Sequence, residues 1–161
     1  KPQKQNYIDL ESQTITTNTT NINQSSNKAI INWQDFSIKS NETVNFNQPN
    51  VNSITLNRVI GNEKSIIDGA LNANGQVWLI NSNGVLFGKN AKVNTAGIVA
   101  STKDISNEDF NNGNYNFKGN SKASIVNEGE IKSLAILSTS FAIIPALASF
   151  IDFSWAFNTM S

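Results

Sequence analysis

The side chains that could carry chemistry in this chain of 161 residues are twelve Asp and Glu and twelve Lys and Arg, for it has neither histidine nor cysteine. That removes thiolate nucleophiles, disulfide frameworks, zinc sites of the usual ligand types and every His-dependent proton transfer. The remaining carboxylates would suit polysaccharide cleavage if they stood in clusters with cationic partners. They are instead scattered among polar neighbours, and the sole arginine is Arg58, so solvated surface is their reading and no residue is assigned a catalytic role. Glu128 and Glu130 would share one face of an extended segment, but a like-charged surface pair around Gly129 accounts for them. Asp109-Phe110-Asn111-Asn112-Gly113-Asn114 places oxygen ligands at alternate positions, as a calcium loop does. Its glycine comes one position early and Asn120 stands where the bidentate glutamate belongs, so the segment reads as a polar loop and no metal or cofactor is expected.

The elements that must position these residues are announced by composition. Charged residues make up 15% of the chain and the formal net charge is zero, so no basic field exists to hold nucleic acid or an anionic membrane surface. Asparagine, at roughly one residue in six, is far above its ordinary share. Its amide bonds neighbouring backbone and tolerates left-handed φ/ψ, so repeated Asn marks repeated turns, and stacked Asn forms ladders between aligned strands. A disordered Asn-rich tract is the competing reading, and Trp33, Phe36, Trp78, Leu79, Ile80, Leu86 and Phe87 argue against it.

One folding unit of short strands follows. Residues 1–28 read as an edge or capping segment. Two strands are expected around Ile31/Trp33 and Val44/Phe46, separated at Ser40-Asn41, with Pro49 at a corner because it cannot donate to a ladder. Residues 53–60 make another strand, and residues 61–71 a turn of helix or a loop covering one end of the core. From 71 to 99, apolar runs at 77–80, 85–87, 93 and 98–99 alternate with Asn/Gly turns too short for helical crossovers. Asn-Gly at 74/75, 83/84 and 112/113 is a hairpin signal. Pieces this short and often apolar on both faces, such as Val77-Trp78-Leu79-Ile80, suit stacked coils instead. Residues 123–126, the turn 127–129 and Ile131 repeat the motif without a clean fixed-length period.

The block ALNANGQVWLINSNGVLFGKNAKVNTAGIVASTKDIS resembles the two-partner secretion domain of filamentous haemagglutinins, high-molecular-weight adhesins and related haemolysins. The likeness extends upstream through INWQDFSIKSNETVNFNQPNVNSITLNRVIG and downstream to IVNEGEIK, covering roughly residues 14–132. The resemblance implies an all-β fold, a right-handed parallel β-helix with small antiparallel capping or extra-helical strands. It also implies an N-terminal position in a large Gram-negative exoprotein and recognition by the periplasmic domains of a cognate outer-membrane transporter. The chain would then pass through periplasm and outer membrane to the cell surface or medium, with host-cell contact a property of the full-length protein. Absence of cysteine suits a chain that crosses unfolded. The resemblance further points to Asn81, Asn83 and Gly84 as matches to an Asn-Pro-Asn-Gly signature associated with secretion, from which Ser82 departs. Serine can keep such a turn with less rigidity than proline, and the four residues read either as partner-recognition residues or as a corner of the coil. Trp33, Trp78 and Phe87 are expected in the core.

The chain begins with Lys1 and its first stretch has no apolar core of a signal peptide, so it reads as a processed or excised product. The secretion domain is assigned to 1–132 and an atypical apolar tail to 133–161. SLAILS suits a further coil, whereas FAIIPALASFIDFSWAF abandons the Asn/Gly rhythm; a truncated, out-of-frame end is favoured over a membrane span, which Pro145 and Asp152 weaken. The functional expectation is a non-enzymatic secretion-recognition domain. A structural adhesin fragment binding cells or glycans is the alternative, and a carbohydrate-active β-helix enzyme a distant third.

Overall fold

The computed structural model describes residues 2–8, 10–139 and 141–143. Strands β1 (Gln3–Ile8) and β2 (Leu10–Ile15) come first, followed by a coil made of β3 (Thr19–Gln24) and β4 (Lys28–Asp35). The next coil contains β5 (Thr43–Asn47), β6 (Ile54–Val59) and β7 (Ser65–Ile67), and the one after it β8 (Ala70–Ala73), β9 (Gln76–Ile80) and β10 (Val85–Phe87). Then come β11 (Lys92–Thr95) and β12 (Gly97–Ser101), the helix α1 (Asn107–Asn112) and β13 (Ile125–Asn127), and last β14 (Glu130–Ser133), β15 (Ile136–Thr139) and β16 (Phe141–Ile143).

Equivalent strands of successive coils stack in parallel into three sheets, giving the β-helix that the sequence implied. Sheet A has the order β1-β4-β6-β9-β12-β15, sheet B the order β14-β11-β8-β5-β3-β2, and sheet C the order β16-β13-β10-β7. β1 and β2 pair antiparallel with β4 and β3, so they close the exposed edges of the first coil as capping strands. The Asn-Gly pairs at 74/75 and 83/84 join strands of different sheets, so neither forms a hairpin. Stacked partners lie 24, 27, 22 and 38 residues apart on successive coils, which is why no fixed repeat is visible in the sequence.

Inside, the inward residues of the three sheets form one core that includes Ile31, Trp33, Leu71, Leu79, Phe87 and Ile125. Trp33 packs edge-on against Phe36 at 5.3 Å, and Phe36 stacks on Phe46 at 6.5 Å. Exposure of only 0% for Trp33, 2% for Trp78 and 1% for Phe87 buries all three expected aromatics. Trp78, however, belongs to a second core on the outer face of sheet A. There the column Ile30, Leu56, Trp78, Val99 and Leu137 is continuous in register and apolar, so it needs a cover. Residues 102–119 supply it.

Two local expectations are corrected. Residues 61–71 are not a helical turn or a covering loop: Ser65–Ile67 is a strand of sheet C and Ile67 enters the main core. Lys39 O and Glu42 O would sit 2.2 and 2.4 Å from a Cβ at Gly69, so only glycine admits this tight entry into β8. The calcium-like segment is not a loop, because Asn107–Asn112 is helical. Ser106 Oγ accepts from Asp109 N at 3.0 Å, Glu108 and Asp109 occupy the first turn, and Gly113 closes the helix at φ 74°. Helical backbone turns alternate side chains around the axis instead of converging them on an ion.

Parallel pairing runs on through β15 against β12 and β16 against β13, which makes SLAILS part of a further coil. Residues 140 and 144–161, which hold half of the supposed membrane span at 134–151 and most of the out-of-frame stretch, lie outside the described residues. Among the described residues no helix is long and apolar enough to cross a membrane.

Candidate functional site

β9 leaves sheet A at Ile80 and β10 starts sheet C at Val85, so four residues must turn the chain through a corner of the coil. Asn81, Ser82, Asn83 and Gly84 are those four. Gly84 N donates to Asn81 O at 3.0 Å, closing a β-turn, and Asn81 Oδ1 accepts from Asn83 N at 2.9 Å, an Asx turn laid over it. Ser82 holds the position where a type I or II turn favours proline, and serine keeps the turn there.

The side chains tie this corner to the coil before it. Asn81 is fully buried and its Nδ2 donates to Glu63 O at 2.9 Å and to Ser65 Oγ at 3.0 Å. Its Oδ1 also accepts from Asn83 Nδ2 at 2.9 Å, and Asn83 Nδ2 in turn reaches Gly61 O at 2.9 Å. Gly84 has φ 103°, a conformation that side chains resist, and a Cβ there would meet Ser124 O at 3.0 Å. Toward the following coil, Ser82 O accepts from Ser121 Oγ at 2.6 Å. The structure thus brings the four sequence-selected residues into one turn but gives them unequal exposure. Asn81 and Gly84 are buried, Asn83 is half-buried, and Ser82 is exposed. Asn81 uses both amide hydrogens and its carbonyl oxygen within the chain, so it holds the corner and offers nothing outward.

The cover over sheet A is the feature that sequence reasoning missed. Trp78 meets Phe110 at 5.4 Å, Tyr115 at 4.7 Å and Phe117 at 5.8 Å between ring centroids. Arg58 fastens the start of the cover: its guanidinium donates to Asp104 Oδ1 at 2.9 Å, Ile105 O at 2.6 Å, Asn107 Oδ1 at 3.0 Å and Asn32 Oδ1 at 3.1 Å. Lys28 Nζ donates to Phe110 O at 2.7 Å and lies 5.2 and 5.3 Å from the Phe110 and Tyr115 rings. The signal available was Arg58 itself, a lone arginine in a neutral chain, whose five-donor fork suits several carbonyls at once. Among the described residues no three acidic side chains gather into a possible metal site. Glu130 faces Lys132 at 3.3 Å, beyond the turn that holds Glu128 and Gly129.

On the outer face of sheet B the expected asparagine ladder is present. Asn45 Nδ2 donates to Asn21 Oδ1 at 2.9 Å and Asn72 Nδ2 to Asn45 Oδ1 at 3.0 Å, with Asn94 next in register. A shallow polar groove runs beside it, lined by Asn47, Gln48, Asn74 and Asn94.

With this geometry in place, comparison with known proteins gives a consistent result. The family model of the TPS secretion domain matches residues 1–146. The heme/hemopexin-binding protein of Haemophilus influenzae is 44% identical over 101 residues, which is 63% of this chain and 11% of that protein. A second protein of the same description, from the Rd strain, is 41% identical over 113 residues, 68% of this chain and 12% of its own. The crystal structure of the HMW1 secretion domain from Haemophilus influenzae superposes with a TM-score of 0.74 at 37% identity, covering 87% of this chain and 42% of that one. The chain therefore spans roughly a tenth of the length of these curated relatives.

Proposed function

Because the chain belongs to the TPS secretion-domain family, we propose that it is the recognition module of a large exoprotein, bound by the periplasmic domains of a cognate outer-membrane transporter and carried to the cell surface. The observation that carries this reading is the family match over residues 1–146, joined to the shared fold of the HMW1 secretion domain. The module is read as non-enzymatic. Its one guanidinium holds the cover in place, and among the described residues no three carboxylates gather. We draw the end of the module beyond β16, since parallel pairing continues from β14 to that strand. The heme and hemopexin of the relatives' name belong to proteins of which this chain matches a small part.

Within the turn we read Ser82 and Asn83 as the residues that touch the partner, a reading supported by their exposure, and Asn81 and Gly84 as the buried frame that presents them. The test is a pull-down of the chain with the transporter's periplasmic domains, comparing wild type, Ser82→Asp and Asn83→Ala, each verified as folded by circular dichroism. Folded variants that lose capture support a contact at the turn. A folded wild type that is not captured sinks the recognition reading. Capture unchanged in both variants moves the contact elsewhere on the coil.

A further inference from the structure

Three Asn-Gly pairs occur in the described chain, and each carries the same latent reaction. The glycine nitrogen attacks the asparagine Cγ, ammonia leaves, and water opens the resulting cyclic imide to aspartate or isoaspartate. The reaction needs a side chain free to rotate and a glycine N–H free to leave its acceptor. At 74/75 neither condition holds. Asn74 Oδ1 accepts from Gln48 N and its Nδ2 donates to Gln48 O, both at 2.7 Å, while the buried Gly75 N donates to Gln48 Oε1 at 2.8 Å. At 83/84 the Asn83 amide is held by Gly61 O and Asn81 Oδ1, and Gly84 N by Asn81 O at 3.0 Å.

The third pair differs in its side chain and in how weakly its glycine is held. Asn112 is exposed, and its side chain has no hydrogen bond among those described. Gly113 N is shared between Asp109 O and Phe110 O, and its 3.3 Å bond to Phe110 O is the longest of the described turn and cap bonds. Nothing lies within 4 Å of where a Gly113 Cβ would stand, so this glycine borders open space. The helix it terminates is six residues long, and a helix end opens at little cost.

We propose that Asn112 is a site of spontaneous conversion to aspartate and isoaspartate, and that this modification loosens the cover over sheet A. The isoaspartyl form adds a backbone methylene immediately before Gly113. That displaces the cap bonds of Gly113 N and of Asn114 N, which donates to Asp109 O at 2.8 Å. An aspartate in either form puts a negative charge at the carbonyl end of α1, where the helix dipole disfavours it. Phe110, which packs on Trp78, lies two residues before the altered bond.

The test is timed incubation of the folded chain in mildly alkaline buffer, with peptide mass spectrometry of all three pairs and hydrogen exchange of residues 105–117. The expected result is conversion at Asn112 roughly tenfold or more faster than at Asn74 or Asn83, because those two must wait for local opening. In urea the three rates should converge, the fast phase should vanish in Asn112→Gln, and converted protein should exchange faster in the cover. Asn74 or Asn83 keeping pace in the folded chain would overturn the assignment. Conversion at Asn112 without faster exchange would overturn the loosening.

Discussion

On the outer face of sheet A the stacked column is Ile30, Leu56, Trp78, Val99 and Leu137; on the outer face of sheet B it is Asn21, Asn45, Asn72 and Asn94. Both columns climb the same coils in parallel register, yet one is sealed under residues 102–119 and the other faces water. An apolar column leaves no polar surface for water to hydrate, so the chain adds an insertion to bury it. The asparagine column satisfies its own amides from strand to strand and needs no cover. The comparison teaches that the coil itself is indifferent to what decorates it. The outward residue of each strand decides whether the coil must carry extra chain, and the 38-residue coil is the consequence.

The strongest way to break this contrast is to empty the sealed face. Trp78→Ala should cost about 3–5 kcal/mol in urea denaturation, as truncation of a buried aromatic does. It should also free the cover to exchange its amides, while the Asn column stays intact. Next in size is the asparagine that does not resemble the ladder. Asn81→Ala leaves Ser65 Oγ and Asn83 N without this partner and Glu63 O with only its longer bond from Asn83 Nδ2, and a loss of roughly 2–3 kcal/mol is expected, since orphaned buried groups lose their full solvation. Arg58→Lys should cost about 1–2 kcal/mol and raise hydrogen exchange at 104–107, because an ammonium cannot span the four acceptors. The ion pair itself contributes little of that, Asp104 being 57% exposed. Smallest is Asn45→Thr, expected to shift stability by less than about 1 kcal/mol, because its ladder bonds are partly hydrated. A large loss there would mean that the ladder, not the core, holds the coils in register.

Much of the fold was legible. Short apolar runs at 77–80 and 85–87 coincide with β9 and β10, and the capping role expected of residues 1–28 is realised only in β1 and β2, since β3 pairs in parallel with β5 as a strand of the coil. Legibility failed where sequence-local signals were shared by different structures. Residues 61–71 carry a helix-compatible pattern, but Ile67 had a place in the core and the segment became β7. Asn-Gly signals a hairpin, and here it marks two coil corners and a helix end. At the turn of residues 81–84 the motif was legible, whereas the division between the buried Asn81 and the exposed Ser82 was not.

By itself the sequence determined the short-strand element type and the exclusion of thiol and imidazole chemistry, because both follow from residue identity and short-range spacing, while its resemblance to a known family carried the coiled architecture and the turn at 81–84. Only the tertiary structure decided which face of each strand points inward, which column is sealed, and what Arg58 and Lys28 hold. Those outcomes rest on contacts between residues tens of positions apart, 46 for Arg58 and Asp104 and 82 for Lys28 and Phe110. No local pattern records them, for the free energy that selects them comes from burial shared across coils.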